Sequence, residues 1–238
     1  MPRILNETIQ FDTRASRAKH ALVMIYDIKG FSAFFNQPDV HEYVPRFLNN
    51  ISNVVATVIY GGKDYWTTSP TTLQPLQAPV HEKFLGDGGL FIWLSPNAKG
   101  FPTAFITNLC NRLWNIQGFF DNIRKKCAED IPVYELPQGI RFGLARGTVY
   151  ELTNRKTRQR EYIGFCINLA SRLQKYCSEL AFIASARIGI SDSVLSEYEY
   201  IKVVATKLKG FPKEIVIVDK NEYNNLSPEI RDELFESI

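Results

Sequence analysis

The chain has 238 residues, 45% of them hydrophobic and 22% charged, which is typical of one globular domain able to bury a core. Its formal net charge of +3 is too small to indicate a nucleic-acid partner, although it fits a local basic pocket for a polyanionic small molecule. No run of about 18 apolar residues occurs, so the sequence excludes a membrane-spanning helix.

The cysteine pattern argues against a disulfide or zinc framework. No Cys-x-x-Cys pair occurs, and each cysteine lies in a segment with helical character, where it behaves as a small buried hydrophobe. The N-terminal stretch, residues 1–20, is polar and lacks an apolar signal core. These features predict a cytoplasmic protein. The four cysteines are Cys110, Cys127, Cys166 and Cys177.

The predicted elements begin after this irregular N-terminal arm. An apolar run at 21–26 predicts a strand covered on both faces, and it leads directly into Asp27. Apolar residues then recur at helical spacing through 47–58, before a pair of glycines that ends the helix. Residues 63–80 are rich in Thr, Pro and Gln, which predicts a loop or a long hairpin.

A glycine turn around Asp87 then joins two predicted strands, 81–85 and 89–94. One helix is predicted from 105 to 123, because apolar residues keep helical spacing across that range. The order β-α-β-β-α-β predicts an α+β, ferredoxin-like core with a mainly antiparallel sheet and helices on one face. The later predicted elements are strands 139–145 and 147–152, a helix over 166–177, strand 181–184, helix 191–196, strands 200–207 and 214–219, and a short helix from Ser227.

No internal repeat or second domain is visible along the chain. We therefore expect three segments: the arm over 1–20, one domain over 21–220 and a C-terminal tail over 221–238.

Two aspartates stand at strand ends beside glycines. Asp27 follows the first strand, and Asp87 lies at the tip of the glycine turn. An isolated strand-end aspartate is more often a turn or capping residue. A matched pair, however, can bring two carboxylates from distant segments around hard divalent cations, which prefer oxygen ligands. The pair therefore predicts a two-metal site for a nucleotide.

Three motifs occur along the chain: Tyr26-Asp27-Ile28-Lys29-Gly30-Phe31-Ser32, Lys83-Phe84-Leu85-Gly86-Asp87 and Gly164-Phe165-Cys166-Ile167-Asn168-Leu169-Ala170-Ser171-Arg172. In this order they resemble the signatures of class III nucleotidyl cyclases, and the resemblance covers residues 20–220. It implies a βαββαβ fold and the conversion of a nucleoside triphosphate to its 3′,5′-cyclic monophosphate and pyrophosphate. Two Mg²⁺ or Mn²⁺ ions per site are implied as cofactors.

The resemblance assigns metal binding to Asp27, Asp87 and the main-chain carbonyl of Ile28. It assigns orientation of the ribose to Asn168 and stabilisation of the transition-state charge to Arg172. These last two residues are spaced i, i+4, so they share one helix face.

Triphosphate binding is implied for Lys209 by the same resemblance. Lys207 and Lys213 are close by, and an exposed hairpin lysine is a common feature, so the sequence leaves this assignment open.

In the family, one protomer supplies the metal ligands and the other supplies the ribose and transition-state residues. This chain holds both sets, so the implied partner is a second copy in a head-to-tail homodimer with two equivalent composite sites.

The base-binding pair is implied to be Lys83 and Glu161. A donor beside an acceptor can pair with adenine, cytosine or uracil, so hydrogen-bond logic leaves the base open. The short chain is similar to the standalone bacterial pyrimidine cyclases of anti-phage defence, whose product acts on a separate effector. That similarity favours UTP as substrate, with CTP second and ATP third.

Two other classes of function were weighed. A non-catalytic nucleotide-binding regulatory module would be expected to lack one of the two aspartates or Arg172, and all three residues are present. An RNA-binding ferredoxin-like domain would use the basic segment 154–160, but it would also show aromatic residues on a Lys/Arg-Gly-Phe-type strand, which is absent.

Overall fold

A computed structural model describes residues 11–12, 17–96, 100–129 and 131–238. The rest of the predicted arm, residues 1–10 and 13–16, lies outside the described residues. The strands are β1 (Phe11–Asp12), β2 (Ala18–Lys29), β3 (Gly62–Lys63), β4 (Thr72–Leu73), β5 (His81–Phe84), β6 (Gly88–Leu94), β7 (Gly139–Asn154), β8 (Arg160–Gly164), β9 (Phe182–Ser185), β10 (Tyr200–Ala205), β11 (Glu214–Asp219) and β12 (Phe235–Glu236).

The helices alternate with these strands along the chain. They are α1 (Phe31–Phe35), α2 (Val44–Tyr60), α3 (Thr103–Gly118), α4 (Phe120–Ala128), α5 (Phe165–Gln174), α6 (Asp192–Glu197), α7 (Lys220–Asn225) and α8 (Pro228–Leu234). None of the helices in the described ranges is both long enough and apolar enough to cross a membrane.

The main sheet is built around β2. Its strand order is β12-β10-β11-β9-β7-β2-β6-β5, and β1 and β8 also pair with β7. Neighbouring strands are antiparallel except for β7 and β9, which are parallel. The segment β7-β2-β6-β5 has the strand order of a βαββαβ ferredoxin-like core. The predicted α+β class with a mainly antiparallel sheet is therefore confirmed.

Helices cover both faces of this sheet, which differs from the predicted one-face arrangement. Leu22 and Met24 of β2 pack in one cluster with α2, α3 and α4. Val23 and Ile25 point to the other face and pack with α5. Because successive side chains of a strand alternate between faces, a strand that is apolar throughout needs cover on both sides.

Helix α5 lies unusually close to β7. A Cβ atom added at Gly143 would collide with the carbonyl oxygen of Ala170 and would lie 2.6 Å from the main-chain nitrogen of Gln174. Only glycine permits this approach, since it removes the side chain that would hold the helix away. The close packing fixes which side of α5 faces the sheet and which faces outward.

Several element boundaries differ from the sequence-based expectation, and three of these differences change the description of the fold. The single helix predicted from 105 to 123 is two helices, because the backbone leaves helical geometry at Phe119, with φ −115° and ψ 8°. The two strands predicted on either side of Arg146 are one 16-residue strand, β7, since its long ladder with β2 runs through Gly147 without interruption. Finally, Ala18 to His20 belong to β2 and not to an irregular arm.

Candidate active site

The two candidate metal ligands come together at the end of the β2–β6 ladder. Asp27 pairs across the ladder with Gly88, the residue that follows Asp87. A Cβ atom at Gly88 would collide with the carbonyl oxygen of Tyr26 and would lie 2.9 Å from the Cα atom of Asp27. Gly86 turns the chain with φ +89°, a conformation that favours glycine. The glycines therefore allow the β5–β6 turn that carries Asp87 to pack closely against Asp27 on β2.

Arg141 is a residue of this site that the sequence did not reveal. It lies opposite Asp27 in the β2–β7 register, and its guanidinium donates to both carboxylate oxygens, at 2.9 Å to Oδ1 and 2.8 Å to Oδ2. Both side chains are mostly buried, so the two-point contact fixes the orientation of Asp27. The only sequence signal was a lone arginine in an apolar strand.

The donor set fits Mg²⁺ or Mn²⁺ delivered with a nucleotide. No group of three or more His, Cys, Asp or Glu residues placed to hold a metal occurs among the described residues. Magnesium, however, is commonly bound by one or two carboxylates together with water and substrate phosphates. Asp27 and Asp87 supply two such carboxylates next to the close contact between Gly88 and β2, and Ile28 follows Asp27 in β2. Each carboxylate oxygen of Asp27 keeps a lone pair beyond its bond to Arg141.

A cavity of about 540 Å³ opens next to Asp87. Its volume is in the range of small-molecule sites. The cavity separates the β5–β6 turn from α1 and the first turns of α2, so it lies where the first and second cyclase-like motifs meet. Its lining residues are Phe31, Ser32, Phe35, Asn36, Val44, Leu48, Gly86 and Asp87.

The predicted base-binding residues, Lys83 and Glu161, form an ion pair. Lys83 Nζ donates to Glu161 Oε1 at 2.9 Å, although the two residues are 78 positions apart. The nearly buried side chain of His81 places Nε2 3.8 Å from Glu161 Oε2. Its ring packs edge-on against Tyr162, with the ring centroids 5.2 Å apart.

Asn168 and Arg172 lie on the outward side of α5. The opposite side of the helix carries Leu169 and Leu173, which are buried against β2 and β7. Both polar residues are exposed, and neither side chain makes a hydrogen bond or ion pair with the part of the chain that the structure describes. Their side chains are therefore available to a molecule outside this chain.

Lys209 is also exposed, in the turn between β10 and β11. The two lysines that compete with it in sequence are both engaged: Lys207 pairs with Glu233 at 3.0 Å, and Lys213 pairs with Glu236. No such pair holds Lys209 within the described ranges. Its ionic contacts therefore distinguish Lys209 from the two neighbouring lysines.

Comparisons with known proteins show what the fold of this chain is similar to. No protein-family model matches the sequence, and no curated protein matches it. Among solved structures, the adenylyl cyclase CyaB from P. aeruginosa matches with a TM-score of 0.56 and 18% identity, over 85% of this chain and 95% of that one. The guanylyl cyclase Cya2 matches with a TM-score of 0.55 and 16% identity, over 86% and 92% of the two chains.

The chain has the class III nucleotidyl cyclase fold. A bacterial light-regulated adenylyl cyclase matches as well, with a TM-score of 0.55 and 17% identity over 92% of this chain. This chain covers 56% of that larger protein. At these identities the similarity is one of fold, and the chemistry must be argued from the residues themselves.

Proposed function

We propose that this protein is a nucleotidyl cyclase that converts UTP to 3′,5′-cyclic UMP and pyrophosphate. The observation that carries the proposal is that Asp27 on β2 lies across the ladder from Gly88, next to the β5–β6 turn whose Asp87 lines a nucleotide-sized cavity, in a class III cyclase fold. A non-catalytic module would have no need for this paired carboxylate arrangement.

In the proposed reaction the ribose 3′-hydroxyl attacks the α-phosphorus and pyrophosphate leaves in line. Asp27, Asp87 and the Ile28 carbonyl would hold two Mg²⁺ or Mn²⁺ ions, which lower the pKa of the attacking hydroxyl and neutralise the phosphates. Arg141 orients the Asp27 carboxylate through its two hydrogen bonds.

The remaining groups act on the nucleotide itself. Asn168 orients the ribose, and Arg172 stabilises the charge that develops on the phosphates in the transition state. Lys209 binds the triphosphate as a point charge.

The active form is proposed to be a head-to-tail homodimer. Within one chain, Arg172 lies on the side of α5 that faces away from β2, the strand that carries Asp27. A second copy that presents its Arg172 and Asn168 to the Asp27–Asp87 site completes the machinery. The same contact, repeated by the two-fold axis, gives two equivalent sites.

The preference for uracil is argued from the base site and from the resemblance to standalone pyrimidine cyclases. Lys83 would donate to uracil O4, and Glu161 would accept the N3–H group. Tyr162 packs beside this pair, against His81, and its bulk favours a pyrimidine over the larger purine. The cyclic product is proposed to act on a separate effector in antiviral defence.

The test is a product assay with ATP, GTP, CTP and UTP, each incubated separately with the purified protein and Mn²⁺, with products identified by mass spectrometry. We expect cyclic UMP from the wild type and no cyclic product from Asp87→Asn. Asp121→Asn is the matched control, because Asp121 is exposed on α4, where it pairs with Arg124. A cyclic product from CTP or ATP would correct the base but keep the cyclase assignment. No cyclic product from any of the four would refute it.

A further inference from the structure

His81 carries a polar atom that the fold leaves unsatisfied. Its side chain is only 9% exposed, and Nε2 has no hydrogen-bond partner among the residues that the structure describes. Buried polar atoms without a partner are uncommon in folded proteins and cost free energy, so each one requires an explanation. The nearest charged group is the Glu161 carboxylate, whose Oε2 lies 3.8 Å from Nε2.

The geometry of β5 places His81 on the same face of the sheet as Lys83, beside the proposed base site. His81 and Lys83 are two residues apart on β5, so they point to the same face of the sheet. Glu161 on β8 reaches between them, with Oε1 on Lys83 at 2.9 Å and Oε2 toward His81. The edge contact with Tyr162 holds the imidazole ring in this orientation.

The protonation of His81 follows from its surroundings. Burial lowers its pKa below the usual 6.5, and this effect is larger than the opposing influence of Glu161. Lys83 and Arg160 also lower the pKa of His81, whereas Glu82 raises it. The neutral ring has one N–H group, and a lone pair on Nε2 would be repelled by the Glu161 carboxylate. The proton therefore belongs on Nε2.

We propose that His81 is a positioning residue for the base site, which donates its Nε2–H to Glu161 Oε2 when a base engages Lys83. This inference rests on the proposed function. A movement of about 1 Å brings the 3.8 Å separation into hydrogen-bond range. Glu161 is then fixed by His81 and not by Lys83. Its Oε1 is free to accept the N3–H of uracil, while Lys83 donates to O4.

The test compares His81→Gln with His81→Asn. The glutamine amide can place a donor near the position of Nε2, and the shorter asparagine cannot. Binding is measured by calorimetry with 3′-deoxy-UTP, which lacks the attacking hydroxyl, and turnover is measured with UTP. We expect H81N to raise both Kd and KM about tenfold, as for loss of a hydrogen bond to a charged group, and to leave kcat within about twofold. H81Q should stay within about threefold of the wild type in Kd.

A second measurement probes the edge of the base. The wild type should bind UTP more tightly than 3-methyl-UTP, in which the N3–H group is replaced, and this preference should shrink in H81N. If H81N does not fold, His81→Phe keeps the ring contact with Tyr162 and is expected to show the same loss.

Three results would overturn the role of His81. The first is a Kd for H81N equal to that of the wild type, and the second is an equal loss of nucleotide affinity in H81Q and H81N. The third is an effect of H81N on kcat alone. If the wild type prefers another nucleoside triphosphate, the 3′-deoxy form of that nucleotide takes the place of the uridine probe. The choice of UTP can then fail while the inference on His81 stands. A wild-type protein that binds none of the four refutes both proposals.

Discussion

Arg141 and Asp27 lie opposite each other on β7 and β2, and the guanidinium donates one hydrogen bond to each carboxylate oxygen of the aspartate. Because of this contact, the two candidate metal ligands should contribute differently to the stability of the fold. Asp27 belongs to a largely buried ion pair within the fold, whereas Asp87 lies at a turn tip beside the cavity. In the sequence the two aspartates look alike, since both are predicted at strand ends beside glycines.

We therefore predict that Asp27→Ala and Asp87→Ala differ in stability although both abolish cyclase activity. Asp27→Ala leaves Arg141 without its partner, which should lower the free energy of unfolding by about 1–3 kcal/mol. Asp87→Ala should lower it by less than about 0.5 kcal/mol. Urea unfolding of both variants measures the difference. Equal stability of the two variants would show that the Arg141–Asp27 pair contributes nothing to the fold.

A mixture of two inactive variants tests the composite site. Asp87→Ala removes a metal ligand, and Arg172→Ala removes the transition-state cation. In a mixed dimer, one site carries both defects and the other is intact. Random mixing makes half of the dimers mixed, so the mixture should recover about a quarter of the wild-type activity. The measurement is cyclic nucleotide formation after co-refolding. Absence of activity in a mixture shown by mass spectrometry to contain mixed dimers would contradict the composite site.

Gly88 allows the approach of the two aspartates, so its replacement should affect both fold and activity. In Gly88→Ala the new Cβ would meet the backbone of β2, and the β2–β6 ladder must separate at Asp27. We expect a loss of stability of about 2 kcal/mol or more and loss of activity. The control is Gly139→Ala, since a Cβ at Gly139, also in the sheet, meets nothing within 4 Å. If Gly88→Ala had the melting temperature and turnover of the wild type, the close approach at this position would not require glycine.

The stability of the chain should depend on the protonation of Glu222. Burial raises the pKa of this carboxyl from 4.5 to about 7, although the Ala181 N–H donates to it at 3.1 Å. The native state therefore holds the proton more tightly than the unfolded chain does. The stabilisation that Glu222 provides is complete below about pH 4.5 and is lost as the pH rises through 7.

Glu222→Gln keeps an acceptor for the Ala181 N–H but cannot ionise. The wild type should lose about 1–3 kcal/mol more than this variant between pH 5 and pH 8, measured by denaturant unfolding. Exposed Glu197→Gln serves as the control and should follow the wild type. The same pH dependence in Glu222→Gln and in the wild type would contradict the assignment.

The sequence predicted the local structural setting of the candidate residues where that setting depends on their neighbours in the chain. Asp87 stands in a turn marked by glycines, and Asn168 and Arg172 share a helix face through their i, i+4 spacing. Asp27 follows an apolar run as predicted, although it lies within β2 and not after its end, since the strand continues to Lys29. Each of these features is encoded within a few neighbouring residues. The α+β class followed in the same way, because the order of strands and helices along the chain limits the possible sheets.

The features that the sequence did not reveal depend on register between distant segments. Arg141 meets Asp27 only because residues 114 positions apart face each other in the β2–β7 ladder. The unsatisfied nitrogen of His81 arises where β5 and β8 converge on Glu161. The second helical layer was missed for a related reason, since the apolar run of β2 shows that both faces are covered but not which helix covers each face.

The ion pair between Lys83 and Glu161 means that the proposed base site is already occupied by the protein's own charges before any nucleotide arrives. Binding is therefore an exchange, in which a base must replace the lysine–carboxylate contact with two hydrogen bonds of its own. A base that forms a hydrogen bond with only one of the two groups leaves the other without a partner. Such a base should bind more weakly than it would at a site where no internal contact has to be broken. Discrimination between nucleotides would thus come from competition with an internal ligand as well as from the shape of the pocket.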